Sequence, residues 1–257
     1  MTFTTIIAAD AEHERELDHA IHTWRKFLPE IWQNPLILIG DSRWGVDNRW
    51  HDIKHRTFAD HPHVMPLDAC GLWQDEIGQF DASIISQREK MLSAIVWASR
   101  HVKTEYYFKC DTDCIARSAG KWFEPEWFDG QNKAIASPWG YTKPGWWYDQ
   151  LDRWSESNDL FKHHTAPHRE QSGEVARSRR LISYCYWGHV AWQNQILDSN
   201  LGKRLPVPSH DTLLSYCLAR TGEPYLRVNM RKNYNFAHIA GGANKIALAV
   251  KGVLGDQ

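Results

Sequence analysis

The sequence predicts an α/β fold: one domain built on a mixed, mostly parallel sheet flanked by helices. In the first half of the chain, strand-like apolar runs alternate with helix-like runs, the pattern of parallel strands joined by crossover helices. Residues 36–39 are continuously apolar, as in a strand that is buried on both faces. The length of 257 residues is ordinary for one such domain, so residues 1–257 are predicted to form a single unit.

The elements follow from local pattern. Residues 14–27 predict a helix, because Leu17, Ile21 and Trp24 recur on one helical face. The helix with the strongest pattern follows Ser86, a candidate N-cap. Predicted strands cover residues 3–9, 36–39, 63–67, 106–108, 134–137 and 225–230, and predicted helices cover residues 14–27, 86–102 and 211–220. The polar stretch 155–180 has few core-forming residues and predicts a loop over the site.

Composition excludes several classes of protein. With 30 basic and 31 acidic side chains, no global field favours nucleic acid, and no nucleic-acid partner is expected. No signal peptide or transmembrane segment is recognised, which predicts a cytoplasmic protein, either free or peripheral at a membrane surface. The five cysteines lack zinc-ligand spacing, and Cys110 and Cys114 are expected to be packing residues. Fourteen tryptophans are an excess, and aromatic rings can stack on sugar faces.

The chemistry centres on Asp111 and Asp113, which follow the predicted strand at residues 106–108. Residues two apart in an extended segment point to the same side, so two carboxylates can meet in one small volume. Such a pair favours a hard divalent cation, Mn²⁺ or Mg²⁺, whose open positions phosphate oxygens can fill. The segment therefore predicts a metal site that binds a diphosphate.

Residues 87–91 and 103–113 together resemble the helix, strand and DxD motif of GT-A glycosyltransferases, which have a Rossmann-like sheet. The resemblance implies a nucleotide-binding half at residues 1–115 and an acceptor-binding half at residues 116–257. It further implies transfer of a sugar from a nucleoside-diphosphate donor, a UDP-sugar by preference, to a hydroxyl of a carbohydrate or glycolipid acceptor.

The resemblance also implies the roles of individual residues. Asp113 would bind the ion directly, and Asp111 through water or by contacting the ribose. His238 occupies the place of a third metal ligand, and an imidazole ligand favours Mn²⁺ over Mg²⁺. Asp211 resembles the carboxylate that faces the acceptor in many inverting relatives, so we expect it to be the general base of an inverting reaction. Aspartate before a helix is equally an ordinary N-cap, and both readings of Asp211 stay open.

Substrate contacts are expected at strand ends, beside the motif and in the aromatic segment of the second half. The donor-binding candidates are Ala9, Asp10, Asp41, Arg43, Arg88, Lys90, Thr112, Arg231 and Lys232. The acceptor-binding candidates are Trp139, Trp187, Gly188, His189 and Trp192.

Four other classes of protein fit the sequence less well. A carbohydrate-binding protein, or a transferase-like protein without turnover, fits the tryptophan excess but has no use for a diphosphate site. A haloacid-dehalogenase-type phosphatase also uses Asp-x-Asp, but Ile115 stands where Thr or Val is usual and no later Asp-Asp pair follows. A sugar nucleotidyltransferase needs a Gly-rich loop after the first strand. At that place, residues 10–13, this chain has the glycine-free sequence Asp-Ala-Glu-His. A glycoside hydrolase would not depend on a divalent metal.

Overall fold

The structure is a computed structural model. It describes residues 3–9, 13–40, 53, 56–68, 98–119, 135–137, 153, 185–189, 225–227 and 236–255. Most of the helix predicted at 86–102, the loop at 155–180 and the helix at 211–220 lie outside these residues.

Nine strands and three helices lie wholly within the described residues. The strands are β1 (Phe3–Ala8), β2 (Leu36–Gly40), β3 (Val64–Asp68), β4 (Tyr106–Cys110), β5 (Cys114–Ala116), β6 (Ile135–Ser137), β7 (Cys185–His189), β8 (Tyr225–Arg227) and β9 (Phe236–His238). The helices are α1 (Glu14–Phe27), α2 (Glu30–Gln33) and α3 (Ala243–Leu254). The predicted strands at 3–9, 36–39 and 63–67 and the helix at 14–27 are found within one or two residues of their expected bounds.

The main sheet has seven strands in the order β3-β2-β1-β4-β7-β6-β8. The first four are parallel to one another, and β8 is parallel to β6. Strand β7 runs antiparallel to both of its neighbours, β4 and β6. The mixed, mostly parallel sheet predicted from the sequence is therefore confirmed. A separate two-stranded sheet pairs β5 with β9 antiparallel.

Helix α1 forms one side of the core. Its predicted apolar face is buried, with Leu17 and Trp24 at 0% exposure, and fully burying a large aliphatic side chain stabilises a protein by about 1.5–3 kcal/mol. Helix α3 packs against α1 and buries Ile246 and Val250. Cys110 and Cys114 are buried and reduced, as expected of packing residues. Across the described ranges, no helix is both long and apolar enough to cross a bilayer.

Three features of the structure differ from the elements predicted from the sequence. Strand β4 continues to Cys110, so it ends directly before Asp111. The pairing of β5 with β9 was not expected, because three-residue strands carry almost no sequence pattern. Residues 243–254 form the helix α3, which was not among the predicted helices.

Candidate functional site

The Asp-Thr-Asp segment forms a turn at the carboxyl end of a central strand. All five residues of β4 are buried, and the chain turns at Asp111 before entering β5. The amide of Cys114 donates a hydrogen bond across this turn to the carbonyl oxygen of Asp111, at 3.4 Å. Ligands of open α/β sheets bind outside the carboxyl ends of their strands, so the turn lies at the edge of the sheet where a substrate is expected.

Helix α1 fixes the strand that follows the turn. The indole Nε1 of Trp24 donates to the carbonyl oxygen of Cys114 at 2.8 Å, and the hydroxyl of Thr23 accepts from the amide of Ala116 at 3.0 Å. Both bonds are buried, where an unmade hydrogen bond is costly. The position of β5, and with it that of Asp113, is therefore tied to α1.

Strand β9 carries His238 to the turn from a distant part of the sequence. In the β5–β9 pair, His238 lies opposite Cys114, and the amide of Ile239 donates to the carbonyl oxygen of Asp113 at 2.9 Å. The ring of Phe236 anchors the start of β9, with its centroid 6.5 Å from Trp24 and 5.7 Å from Phe108. The backbone thus places His238 beside Asp113.

The two side chains are in direct contact. Nε2 of His238 lies 2.8 Å from Oδ2 of Asp113, and this hydrogen bond is the main reason that the pKa of His238 is raised above its ordinary value. The other oxygen of Asp113, Oδ1, is buried and has no hydrogen-bond partner within the part of the chain that the structure describes. A buried carboxylate oxygen left in this way is costly and needs an explanation.

Asp111 makes a different contact. Its Oδ1 accepts a hydrogen bond from the ammonium group of Lys109, whose side chain is only 1% exposed, whereas that of Asp111 is 39% exposed. Loss of hydration raises the pKa of Asp111 to about 6, against the lowering effect of Lys109. The second aspartate of the motif faces a histidine, and the first faces a buried lysine.

The residues present fit a divalent ion in their chemistry. Carboxylate oxygens and an imidazole nitrogen are the ligands that Mn²⁺ takes in proteins, and Oδ1 of Asp113 is an oxygen without another partner among the described residues. In the geometry of the described residues, no three His, Cys, Asp or Glu side chains converge on one point. To join such a set through Oδ1, Asp111 would have to loosen its contact with Lys109, and to join through Nε2, His238 would have to release the proton on that nitrogen.

A glycine turn and a lysine adjoin His238. Gly241 and Gly242 have φ of +123° and +85°, values that favour glycine, and α3 begins directly after them. A Cβ placed on Gly241 would lie 2.6 Å from the side chain of Lys245, which therefore folds back over the turn. Gly241 and Gly242 were not among the predicted site residues, although a Gly-Gly pair three residues after His238 is visible in the sequence.

Two donor-binding candidates fall in the described residues. Ala9 follows β1 at the same sheet edge as the turn, is 5% exposed, and donates its amide to the carbonyl oxygen of Ile39. Thr112 is 6% exposed, and its hydroxyl lies 3.5 Å from a carboxylate oxygen of Glu16, in the first turn of α1. The candidates that lie outside the described residues are Asp10, Asp41, Arg43, Arg88, Lys90, Trp139, Trp192, Asp211, Arg231 and Lys232.

The remaining acceptor-binding candidates lie on β7. Because β7 is antiparallel to β4, Cys185 is opposite Cys110 at the site, whereas His189 is opposite Tyr106 at the far end of β4. At about 3.3 Å per residue, His189 lies roughly 15 Å along the sheet from Asp111. Gly188 is buried, and a Cβ there would meet the ring of Tyr107 at 2.3 Å, so packing accounts for this glycine.

Trp187 lies between these two positions, opposite Phe108. The strand direction that separates these residues from the site was not available from the sequence. None of the three β7 candidates is brought next to Asp113 by the register.

Comparison with known proteins places this geometry in context. No protein-family model and no curated protein matches the sequence. Among solved structures, the chain is similar to the mannosyltransferase Ktr4p from S. cerevisiae in complex with GDP, with a TM-score of 0.62 and 9% identity over 92% of this chain and 71% of that one. It is also similar to the galactosyltransferase LgtC in complex with donor and acceptor sugar analogues, with a TM-score of 0.55 and 9% identity over 99% and 98% of the two chains.

A third similar structure is core-mannan synthase A from Aspergillus fumigatus in its Mn/GDP form, with a TM-score of 0.53 and 12% identity over 87% of this chain and 71% of that one. At such identities the likeness shows the fold. The chain has the GT-A fold of nucleotide-sugar glycosyltransferases, as the resemblance in its sequence predicted.

Proposed function

We propose that this protein is a metal-dependent glycosyltransferase that moves a sugar from a nucleoside diphosphate to a hydroxyl of a carbohydrate or glycolipid acceptor. The observation that carries the proposal is the meeting of Asp113 and His238 at the carboxyl end of β4, with Oδ1 of Asp113 buried and unpartnered within the described ranges. The shared fold supports it, since the similar structures are glycosyltransferases and one of them is in a form with Mn and GDP.

The roles of the motif residues follow from their contacts. Asp113 and His238 would hold the divalent ion directly, and Asp111, engaged with Lys109 on one oxygen, would reach it through water or bind the ribose. When bound, such an ion stabilises the negative charge that develops on a leaving diphosphate. For His238 to serve as a ligand, its raised pKa requires that Nε2 lose a proton on binding.

Residues after His238 would bind the diphosphate. The amino end of α3 presents free backbone amides and the positive end of the helix dipole. Its first residues follow the Gly241–Gly242 turn, and a Cβ on Gly242 would meet only a carboxylate oxygen of Glu16 at 3.9 Å, so there is room for a ligand to approach the backbone at Gly242. Lys245, folded over the same turn, adds a cation. These groups complement the charge of a nucleoside diphosphate next to the ion.

Two finer points complete the proposal. The sequence favours a UDP-sugar donor, while GDP in two of the similar structures makes a GDP-sugar the alternative. We expect inversion at the sugar carbon with Asp211 as the base, which removes the acceptor proton. Replacement of Asp211 by Asn should then spare nucleotide binding while stopping transfer, and retained transfer would remove Asp211 from the mechanism.

The first experiment measures binding of UDP and GDP by calorimetry, with and without Mn²⁺. For the unaltered protein we expect Mn²⁺-dependent binding of one of the two nucleotides. In Asp113→Ala this binding should fall by more than about a hundredfold, because loss of even an outer partner of a metal ligand costs roughly 10–100-fold. The nucleotide that binds identifies the donor class.

Asp60→Ala is the matched control. Asp60 pairs with Arg25 in the last turn of α1, at the opposite end of the helix from Thr112, so the variant also loses a carboxylate ion pair. It should bind the nucleotide as the unaltered protein does. Binding without any metal dependence would contradict the assigned metal site, and no nucleotide binding at all would favour a carbohydrate-binding protein.

A further inference from the structure

Lys109 is a charged side chain buried in the centre of the sheet. It lies on β4, opposite Ile6 of β1 and Tyr186 of β7, and is 1% exposed. An ammonium group in such a place loses its hydration, which is expensive unless a partner compensates. Asp111 is a partner, two residues further along the chain and therefore on the same side of the strand.

Fold stability is a poor explanation for this pair. Replacement of a buried ion pair by apolar side chains of similar volume is often neutral or stabilising. Tyr107, two residues before Lys109 and on the same face of β4, is fully buried, so a large uncharged side chain is accommodated on this face. A lysine that reaches the first carboxylate of the motif is better explained by what it does to that carboxylate.

We propose that Lys109 is the resident cation of the metal site, which neutralises Asp111 while no divalent ion is bound and competes with the ion for that carboxylate. The inference rests on the proposed function, because it takes Asp111, Asp113 and His238 as the metal site. Lys109 is thus a positioning residue that acts through Asp111.

The competition has a consequence for the order of binding. A divalent ion that meets Asp113 and His238 finds its third ligand, the carboxylate of Asp111, engaged by Lys109, and the positive charge of Lys109 opposes it, so the ion binds weakly by itself. A nucleoside diphosphate supplies phosphate oxygens as further ligands and negative charge against both cations. Ion and nucleotide are therefore expected to bind cooperatively, and the ion to leave readily after the nucleotide does.

The test measures Mn²⁺ binding in the absence of nucleotide, by calorimetry and by the thermal shift that Mn²⁺ produces. Four proteins are compared: the unaltered chain, Lys109→Met, Asp111→Asn and the double variant. Lys109→Met keeps the length of the side chain and removes its charge, and we expect it to bind Mn²⁺ about tenfold more tightly, because one positive charge near the ion is gone. In the Asp111→Asn background the same replacement should have a much smaller effect, since the competition acts through Asp111.

The outcomes separate this inference from the proposed function. If the unaltered protein binds Mn²⁺ neither alone nor with UDP or GDP, the proposed function and the inference both fail. If it binds Mn²⁺ with a nucleotide but Lys109→Met binds the free ion equally or less tightly, only the inference is overturned.

If Lys109→Met does not fold, a measurement on the unaltered chain tests the same inference. In a crystal structure with Mn²⁺ and the nucleotide bound, the contact between Nζ of Lys109 and Oδ1 of Asp111 should be lost or lengthened beyond hydrogen-bonding distance. The same contact retained on the metal-bound carboxylate would overturn the competition.

Discussion

Two histidines of this protein, His61 and His238, lie in opposite chemical situations. His61 is 7% exposed; its Nε2 donates to the carbonyl oxygen of Ile31 at 2.7 Å, and its Nδ1 accepts from the amide of His63 at 3.1 Å. His238 is exposed at the end of β9 and contacts a carboxylate that has a second, unpartnered oxygen within the described residues. A histidine with both ring nitrogens bonded to backbone has a structural role, whereas the pair of His238 with Asp113 leaves one carboxylate oxygen available to a further ligand.

The two environments shift the pKa in opposite directions. Burial between Trp32 and Phe58, whose ring centroids lie 5.5 and 6.2 Å away, lowers the pKa of His61, because the charged ring would lose its hydration. The hydrogen bond to Asp113 raises the pKa of His238, because the carboxylate favours the charged ring. Burial therefore favours the neutral form of His61, and the contact with Asp113 favours the protonated form of His238.

The largest expected effect separates the two residues by function. His238→Ala should weaken Mn²⁺-dependent nucleotide binding by about a hundredfold, because a direct ligand is lost. The free energy of unfolding should change by less than about 1 kcal/mol, since the pair is partly exposed. Calorimetry and chemical denaturation measure the two quantities. A variant that binds the nucleotide normally would reduce His238 to a structural histidine like His61.

The next effect is on stability alone. His61→Phe keeps an aromatic ring in the core but leaves the carbonyl of Ile31 and the amide of His63 without their partner, which should lower the free energy of unfolding by about 1–3 kcal/mol. Nucleotide affinity of the folded protein should not change. Denaturant unfolding checks the first expectation, with His63→Ala, an exposed neighbour, as the control. If folded His61→Phe lost nucleotide binding, the distinction between a structural His61 and a site residue His238 would be wrong.

The smallest effect concerns pH. A lowered pKa in the folded state means that the unfolded chain binds more protons than the folded one as pH falls below the ordinary value of 6.5 for His61. Stability contributed by His61 is therefore complete above that pH and decreases below it. The free energy of unfolding of the unaltered protein should fall more steeply from pH 7 to pH 5 than that of His61→Phe. Equal slopes would show that His61 does not titrate in this way.

His238 works in the other direction. With its raised pKa, its contribution is present below pH 6.5 and is lost as pH rises through the folded-state pKa. The difference between the unaltered protein and each single variant isolates the two contributions, which partly cancel in the unaltered chain. In His238→Ala the decrease in stability from pH 7 to pH 5 should be steeper than in the unaltered protein.

The sequence predicted elements whose pattern is local. Helix α1 was expected with the bounds that it has, because Leu17, Ile21 and Trp24 repeat at helical spacing, and β2 was expected from its continuous apolar run. The antiparallel direction of β7 was not predictable, because strand direction depends on loops and neighbours rather than on the strand's own residues. The sequence therefore could not show which end of β7 lies near the site, nor where the acceptor candidates on it would fall.

The candidate site divides in the same way. The Asp-Thr-Asp tripeptide and the resemblance pointed to Asp111, Asp113 and His238, and these assignments stay predictions until the metal is tested. The contact of His238 with Asp113 depends on the pairing of β5 with β9, which no local pattern encodes. Lys109 was not among the predicted site residues, because a lysine in a strand suggests a solvent-facing position, and its burial depends on tertiary packing that the residues of β4 do not encode.

The bonds from α1 to β5 end on main-chain atoms: Trp24 reaches a carbonyl oxygen, and Thr23 an amide. Every residue type supplies that oxygen, and every one but proline supplies that amide, so the side chains of β5 can be replaced over evolution without moving the strand. The backbone structure can then be conserved with little conservation of amino-acid identity. A scaffold held in this manner can drift to 9% identity with its structural neighbours and still keep the same fold.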